Sequence, residues 1–244
     1  MPQIFKVGGC VRDKLLGIES KDIDFTFVLD DERTVEEGFE IMKDWLDDHD
    51  FTIFLSTPEC FTIRAKFPSG HKNEGMVADF VLARKEVGYE EGTRRPILEI
   101  GTLEDDLIRR DFTVNAIAEN EDGMLIDPFG GGQDIIDGVL RTPMDPMVTL
   151  MDDPLRILRA FRFSLTKNFL MDEKLQAAIS QREAWDKMKL VVSQERIREE
   201  LTKCFKHDTI STLGMLFVIE EQIPGVVADI LLANGLWLKP TTEL

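Results

Sequence analysis

The sequence predicts an α+β protein, a mixed head of about 140 residues followed by an all-helical region. Three observations carry that expectation. Strand-like stretches rich in Phe, Ile, Val and Thr lie before Gly130-Gly131-Gly132, and from Pro154 onward the apolar spacing is helical. The charge also changes sign near the same place. The 244-residue chain carries a net charge of −17, but residues 1–153 hold 16 basic and 34 acidic residues, a net of −18. Residues 154–207 hold 12 basic and 7 acidic residues, a net of +5, and residues 208–244 return to −4. Taken whole, such acidity argues against a nucleic-acid partner; taken by region, it leaves a basic stretch on which a polyanion could lie.

In chain order, residues 4–7 and 22–29 read as strands bounded by glycine or charge. Between them, Gly8-Gly9-Cys10 breaks the pattern and Val11 to Leu16 start a short helix that Gly17 ends. Residues 34–48 suit an amphipathic helix with Val35, Phe39, Met42 and Leu46 on one side. Strand-like 51–55, 60–67 and 76–83 follow. Residues 84–97 are charged, contain glycine and end in Arg94-Arg95-Pro96, which predicts a mobile loop. Helices are expected over 154–167, 172–189 and 193–206, the last opening on Ser193-Gln194-Glu195-Arg196, close to a capping box. Two more are expected over 209–222 and 226–233.

Cys10, Cys60 and Cys204 are widely spaced, with no CxxC, so neither a disulfide framework nor a zinc site is indicated. No apolar run reaches the roughly 18 residues of a membrane span, and the N-terminus lacks a signal-peptide stretch. The expectation is a soluble cytoplasmic protein with no membrane partner.

The chemistry concentrates in a few segments. Asp22 and Asp24 are i and i+2 on a strand and share a face. Two carboxylates so placed repel unless a divalent cation sits beside them, and oxygen ligands suit Mg2+. Alone, this spacing is common in solvated turns. Immediately upstream, however, Gly8 and Gly9 let backbone N–H groups approach an anion, and Arg12 supplies a charged fork for phosphate. A phosphate cradle before a metal pair suits nucleotidyl transfer. Asp79 is a candidate third carboxylate or, equally, an exposed strand residue. Arg109-Arg110-Asp111-Phe112-Thr113-Val114-Asn115 sets two cations, an acid and an amide beside an apolar ring, either a solvated helix start or a ribose-binding set. Asp127-Pro128-Phe129-Gly130-Gly131 reads as an ordinary turn.

Arg156, Arg159 and Arg162 recur every third residue and form a helical stripe, with Asp153 three residues before Arg156. An Asp beside an Arg presents an acceptor next to a donor. Cytosine and adenine each offer an amino donor next to a ring-nitrogen acceptor and fit that pair edge-on; uracil and guanine present the reverse order. The competing reading is an N-capping Asp and a solvated Arg face.

Gly8-Gly9-Cys10-Val11-Arg12-Asp13, Asp22-Ile23-Asp24, Arg109 to Ala116, Asp127 to Gly131 and Asp153-Pro154-Leu155-Arg156-Ile157-Leu158-Arg159, in that order, resemble the motifs of class II tRNA CCA-adding nucleotidyltransferases and bacterial poly(A) polymerases. The resemblance covers about residues 4–205. It implies a polymerase β-like nucleotidyltransferase head with an antiparallel-rich sheet over 1–140, a helical neck over 141–207 and a short body remnant over 208–244. It also implies addition of C and A from CTP and ATP to the tRNA 3′ end, without a template, using Mg2+. By that resemblance Asp22 and Asp24 hold the metal, and Gly8, Gly9 and Arg12 contact the triphosphate. Arg110, Asp111 and Asn115 belong to the triphosphate and ribose site, and Asp153 and Arg156 read the base, with Arg159 and Arg162 completing the pocket. Residues 84–97 are similar to the family's flexible loop, whose presence favours a CCA- or A-adding enzyme over a CC-adding one.

Two features depart from the family. Asp152 stands where a Glu usually precedes the base-reading Asp, and the family usually continues through further helical domains. The expectation is that RNA is held by fewer contacts, with a second subunit of a homo-oligomer helping, or that the substrate is smaller. Poly(A) addition shares every motif and stays open. A phosphohydrolase, suggested by His207-Asp208, lacks partner histidines, since His49 and His71 lie in the head. A non-catalytic RNA-binding module has no need for the Asp22/Asp24 pair.

Overall fold

The computed structural model describes residues 2–20, 22–29, 33–89, 96–231 and 233. The chain divides into two compact units, Met1–Ile135 and Ile136–Leu244.

The first unit runs β1 (Gln3–Val7), α1 (Gly9–Leu15), β2 (Ile23–Val28), α2 (Val35–Asp48), β3 (Thr52–Thr57), β4 (Thr62–Lys66), β5 (Val77–Leu82), β6 (Arg84–Tyr89), β7 (Pro96–Ile100), α3 (Leu103–Ile108), β8 (Ala118–Glu119) and β9 (Leu125–Ile126). Among the described residues seven strands form one sheet in the order β3-β4-β5-β2-β1-β8-β9. Its neighbours are antiparallel except β2 and β5, so the antiparallel-rich head expected from the sequence is what forms.

Alternation along the strands decides what each face carries. Ile23 and Phe27 of β2, Ile63 and Ala65 of β4, and Ala78, Phe80 and Leu82 of β5 are buried in one cluster, together with Val35, Phe39, Met42 and Leu46 of α2. Those four helix residues are the apolar stripe the spacing predicts. Thr34 starts α2 in a reciprocal cap: its hydroxyl accepts the Glu37 N–H at 3.2 Å, and the Glu37 carboxylate accepts the Thr34 N–H at 2.9 Å. A second cluster contains Phe5, Val7, Val28, Ala83, Leu107, Ala116 and Ala118.

Residues 84–97 differ from the expected mobile loop. Arg84–Tyr89 pairs antiparallel with Pro96–Ile100, with an irregularity between Glu86 and Gly88; residues 90–95 lie outside the described residues. Val87, Ile97 and Ile100 supply the strand propensity that the surrounding charges masked. The base of this hairpin is tied to the main sheet by the Gly101 N–H donating to the Ala83 carbonyl at 2.9 Å. A side chain at Gly101 would meet the Arg84 backbone at 2.7–2.9 Å.

The second unit follows α4 (Gly131–Asp137) and runs β10 (Val139–Leu140), α5 (Pro146–Asp152), α6 (Arg156–Lys167), β11 (Leu170–Met171), α7 (Glu173–Ile179), α8 (Arg182–Val191), α9 (Gln194–His207), α10 (Thr209–Gln222) and a π-helical turn, Val227–Leu231. Among its described residues it is helical apart from a two-residue parallel pairing of β10 with β11. The single helix expected over 172–189 is two helices, broken at Ser180 and Gln181. The break is satisfied locally: the buried Trp185 indole donates to the Ile179 carbonyl at 2.8 Å, pairing an acceptor at the end of α7.

Helices α6 and α9 share a buried ion pair. Glu200 is 3% exposed, and its carboxylate accepts from Arg162 Nε at 2.6 Å and Lys203 Nζ at 3.0 Å. Burial pushes the Glu200 carboxyl up, but the two cations outweigh it and hold the group below the usual carboxylate range. Among the described residues no helix is long and apolar enough to cross a membrane.

Gly131 shows the tightest backbone approach in the first unit. A Cβ there would lie 2.0 Å from the Thr113 carbonyl oxygen and 2.6 Å from its carbon. Backbone cannot yield as a side-chain tip does. Gly131→Ala is therefore expected to destabilise the protein by about 1–3 kcal/mol, read as a lower urea midpoint. A midpoint equal to that of the parent chain would show that the approach is not a constraint.

Candidate active site

The sheet face opposite α2 carries the candidate chemistry. With Ile23, Phe25 and Phe27 directed to the α2 core, Asp24 and Thr26 project to the opposite face. Asp24 is in parallel register with Asp79 of β5, and Asp79 is in antiparallel register with Arg64 of β4. The three side chains therefore form a row across adjacent strands. Asp22, Asp24, Phe54, Arg64 and Asp79 line a cleft of about 580 Å³.

Asp24 is the electrostatic centre of this cleft. Burial pushes its carboxyl above the ordinary range; Arg110 pulls it down, and the neighbouring Asp79 and Asp22 push it up again. A carboxyl raised by desolvation and by two other acids is a group that a cation would relieve, so the Asp22/Asp24 donor set fits a hard divalent ion. Asp79 is differently placed: it accepts from Arg64 Nε on one oxygen and from Nη2 on the other, both at 2.6 Å. Among the described residues no group of three His, Cys, Asp or Glu side chains is disposed to hold a metal together.

Glycine is required where the strand β1 meets α1. Gly8 has φ +74°, and a Cβ there would lie 2.8 Å from Arg110 Nη1 and 3.4 Å from Asp24 Oδ2. The turn thus brings backbone against both a cation and a carboxylate of the site. Arg110 is held by Asp106, which accepts from its Nη2 at 2.8 Å, while the Thr26 hydroxyl donates to the same Asp106 oxygen at 2.7 Å. Arg84, Asp106, Arg109 and Arg110 line a second, smaller cavity of about 220 Å³.

Arg12, read as a phosphate fork, is 7% exposed; its guanidinium donates to Asp13 and, from Nη1, to the Asn115 side-chain oxygen. Asn115 in turn donates to Asp111 Oδ1 at 2.8 Å, and that oxygen also accepts the Phe112 N–H at 2.9 Å. Two separate motifs are joined by one buried chain of hydrogen bonds, which fixes the backbone around Gly8 and Gly9. The Asp127 turn supports the same region: Asp127 accepts the N–H groups of Gly131 and Gly132, each at 2.8 Å, and Asp134 accepts from the Thr113 hydroxyl at 2.7 Å.

In the second unit, Asp153 Oδ1 accepts the Leu155 N–H at 3.1 Å, and its Oδ2 accepts from Arg196 of α9 at 3.0 Å. Arg156 donates to the Thr149 carbonyl at 3.2 Å. Arg159 and Arg162 lie 5.9 and 4.6 Å from the Phe163 ring centre, and Arg162 is also engaged by Glu200. The stripe is therefore tied into its helical unit at several points. His207 and Asp208 mark a helix junction, where Asp208 accepts the N–H groups of Ile210 and Ser211 at the start of α10.

Sequence reasoning missed Thr26, Asp106, Arg64 and Arg196. Thr26 was legible as the next residue on the face of Asp24, and Asp106 as the i−4 partner of Arg110. Arg64 and Arg196 carried no local signal, because their partners lie 15 and 43 residues away.

Comparison with known proteins agrees with this architecture. The chain is 35% identical over 206 residues to the multifunctional CCA protein of Neisseria gonorrhoeae, covering 82% of this chain and 44% of that protein. It is 34% identical over 206 residues to the mitochondrial CCA tRNA nucleotidyltransferase of Saccharomyces cerevisiae, covering 80% and 37%. The chain thus spans less than half the length of these curated relatives. A crystal structure of a tRNA nucleotidyltransferase complexed with a primer tRNA and an incoming ATP analogue superposes with a TM-score of 0.67 at 31% identity, over 92% of this chain and 60% of that one. Residues 4–141 match the poly A polymerase head domain. With more than half of its length in that match, the chain belongs to the poly A polymerase head-domain family of nucleotidyltransferases.

Proposed function

We propose that the chain is a template-independent RNA nucleotidyltransferase that adds C and A from CTP and ATP to the 3′ end of tRNA. The observation that carries this reading is the acidic face of β2, where Asp24 sits between the Gly8 turn, Arg110 and a cleft lined by Asp22 and Asp79. A carboxylate pair beside a backbone turn and a cation suits a triphosphate whose charge must be neutralised as a phosphoryl oxygen is attacked. The relatives with CCA in their names and the tRNA-bound neighbour support the same substrate class.

Asp22 and Asp24 would hold Mg2+. When bound, the metal supplies activation of the RNA 3′-hydroxyl and charge stabilisation on the phosphates. The protein's own residues do the positioning. Gly8 and Gly9 let the backbone approach the triphosphate. Arg110, set by Asp106, faces its charge, while the buried Arg12–Asn115–Asp111 chain keeps that turn and the ribose-site backbone in place. Asp153 and Arg156 would read the base, Asp153 exchanging Arg196 for the amino group of cytosine or adenine, with Arg159 and Arg162 supporting the nucleotide pocket. The enzyme would work in the cytoplasm, with tRNA, ATP and CTP as partners.

Poly(A) or A-only addition is the second reading, supported by the matched head domain itself. Incorporation on tRNAs ending in N, NC and NCC separates the readings. CCA addition extends them by C, C and A, by C and A, and by A; an A-adding enzyme extends only the last; a poly(A) polymerase adds repeated A to all. Absence of incorporation on every end would overturn the proposal. Asp24→Ala is expected to lower the rate roughly a thousandfold or more while leaving the circular dichroism spectrum unchanged, and retained activity would exclude the metal assignment. Asp153→Ala is expected to relax discrimination against UTP and GTP by roughly 5–150-fold, the equivalent of about 1–3 kcal/mol for one unpaired group. An unchanged ratio of CTP to UTP incorporation would remove Asp153 from base reading.

A further inference from the structure

We propose that the β3–β4 wall of the cleft receives the 3′-terminal nucleotide of the RNA, and that its arrival draws Arg64 off Asp79, releasing Asp79 toward the metal site. Arg64 is on this view a positioning residue that keeps the third carboxylate out of service until RNA is present. The inference rests on the nucleotidyl-transfer reading above.

The geometry of the pair is the first argument. Arg64, Asp79 and Asp24 are consecutive in cross-strand register on one sheet face, so Asp79 already points to the side where Asp24 lies. Both of its oxygens are nevertheless engaged by the guanidinium, at 2.6 Å each. A carboxylate gripped in that two-pronged way shares its charge and one lone pair of each oxygen with the guanidinium, which makes it a weaker ligand for a cation.

The pair is also built to open. The Arg64 side chain is 46% exposed and that of Asp79 26%. An ion pair this open to water is a weak restraint, and a phosphate offers the guanidinium the same two-oxygen geometry with more charge. Arg64 would exchange one anion for another, with no net loss of hydrogen bonds.

The wall beside it has what a nucleotide needs. Phe54 lines the same cleft and is 51% exposed, and the Lys66 ammonium lies 5.9 Å from its ring centre. Lys66 is two residues from Arg64 on β4 and shares its face. A half-exposed aromatic ring with one cation over it and a second lining the same cleft is an arrangement on which single-stranded nucleic acids stack a base and rest a backbone. In a cleft that also holds Asp22, Asp24 and Asp79, these two cations are what would make the approach of a polyanion favourable.

The test measures metal binding and RNA binding without turnover. Mn2+ is titrated into the full chain by electron paramagnetic resonance, with and without a short single-stranded oligoribonucleotide ending in 3′-deoxycytidine. In the parent chain the RNA is expected to tighten Mn2+ about threefold or more. Arg64→Gln is expected to bind Mn2+ about threefold tighter than the parent without RNA and to gain little when RNA is added. Arg64→Lys, which keeps the charge and loses the two-pronged grip, should behave as Arg64→Gln does; if it behaves as the parent chain, charge alone matters and the latch is excluded. Equal Mn2+ affinity of the Gln variant and the parent without RNA also overturns it. Phe54→Ala is expected to weaken the oligoribonucleotide about tenfold and leave CTP binding unchanged, and an unaltered RNA affinity removes the wall from the proposal. Because no step needs catalysis, a chain that couples RNA to Mn2+ but incorporates no nucleotide would refute the proposed function and leave the latch standing.

Discussion

The two-residue period of β2 is the constraint on which the rest of the head depends. Ile23, Phe25 and Phe27 must face α2, because that face holds the main apolar cluster of the unit. Asp24 and Thr26 are thereby directed to the other face, where they meet Asp79, Arg110 and Asp106. A slip of one residue would exchange the two sets, exposing aromatic rings and burying a carboxylate among them. The same packing that stabilises the sheet therefore sets the acidic cleft, and neither can shift without the other. The parallel pairing of β2 with β5 extends the constraint, since it is the register of those strands that brings Asp79 level with Asp24.

A second layer of the design is buried and polar. Arg12, Asn115 and Asp111 are each at most 7% exposed and hydrogen-bond in sequence. Buried groups of this kind are costly unless satisfied, so the network is either complete or a liability. Close by in sequence, the lack of a side chain at Gly131 lets the Asp127 turn close against the Thr113 backbone. Residues that a motif comparison would treat as ligand contacts thus divide into those set against Asp24, such as Gly8 and Arg110, and those joined to one another in the buried chain. The helical unit follows a similar logic, with Arg162 of the arginine stripe fixed to α9 through Glu200.

Much of the fold was legible because it rests on local periodicity. The α2 stripe, the strand face of Asp24, the helix at 209–222 and the fading of strands after Gly130 all follow from spacings within one element. The pairing of β6 with β7 was not, since its propensity was diluted by charge and glycine and it rests on hydrogen bonds between two separate strands. The continuous helix expected over 172–189 failed for a related reason: periodicity persists across Ser180 and Gln181, while the Trp185 contact that satisfies the break is tertiary.

The signals legible in the sequence were local: a glycine turn, two carboxylates at strand spacing, and an acid before an arginine stripe, each defined by neighbours a few residues away. Only the tertiary structure decided which of these groups are paired. Asp79 is clamped by Arg64, Asp153 accepts from Arg196, and Arg12 is turned inward onto Asn115. Those partners stand 15, 43 and 103 residues apart. The physical reason is that strand and helix periods fix the direction of a side chain within its own element, whereas the partner it meets is set by register and packing between elements.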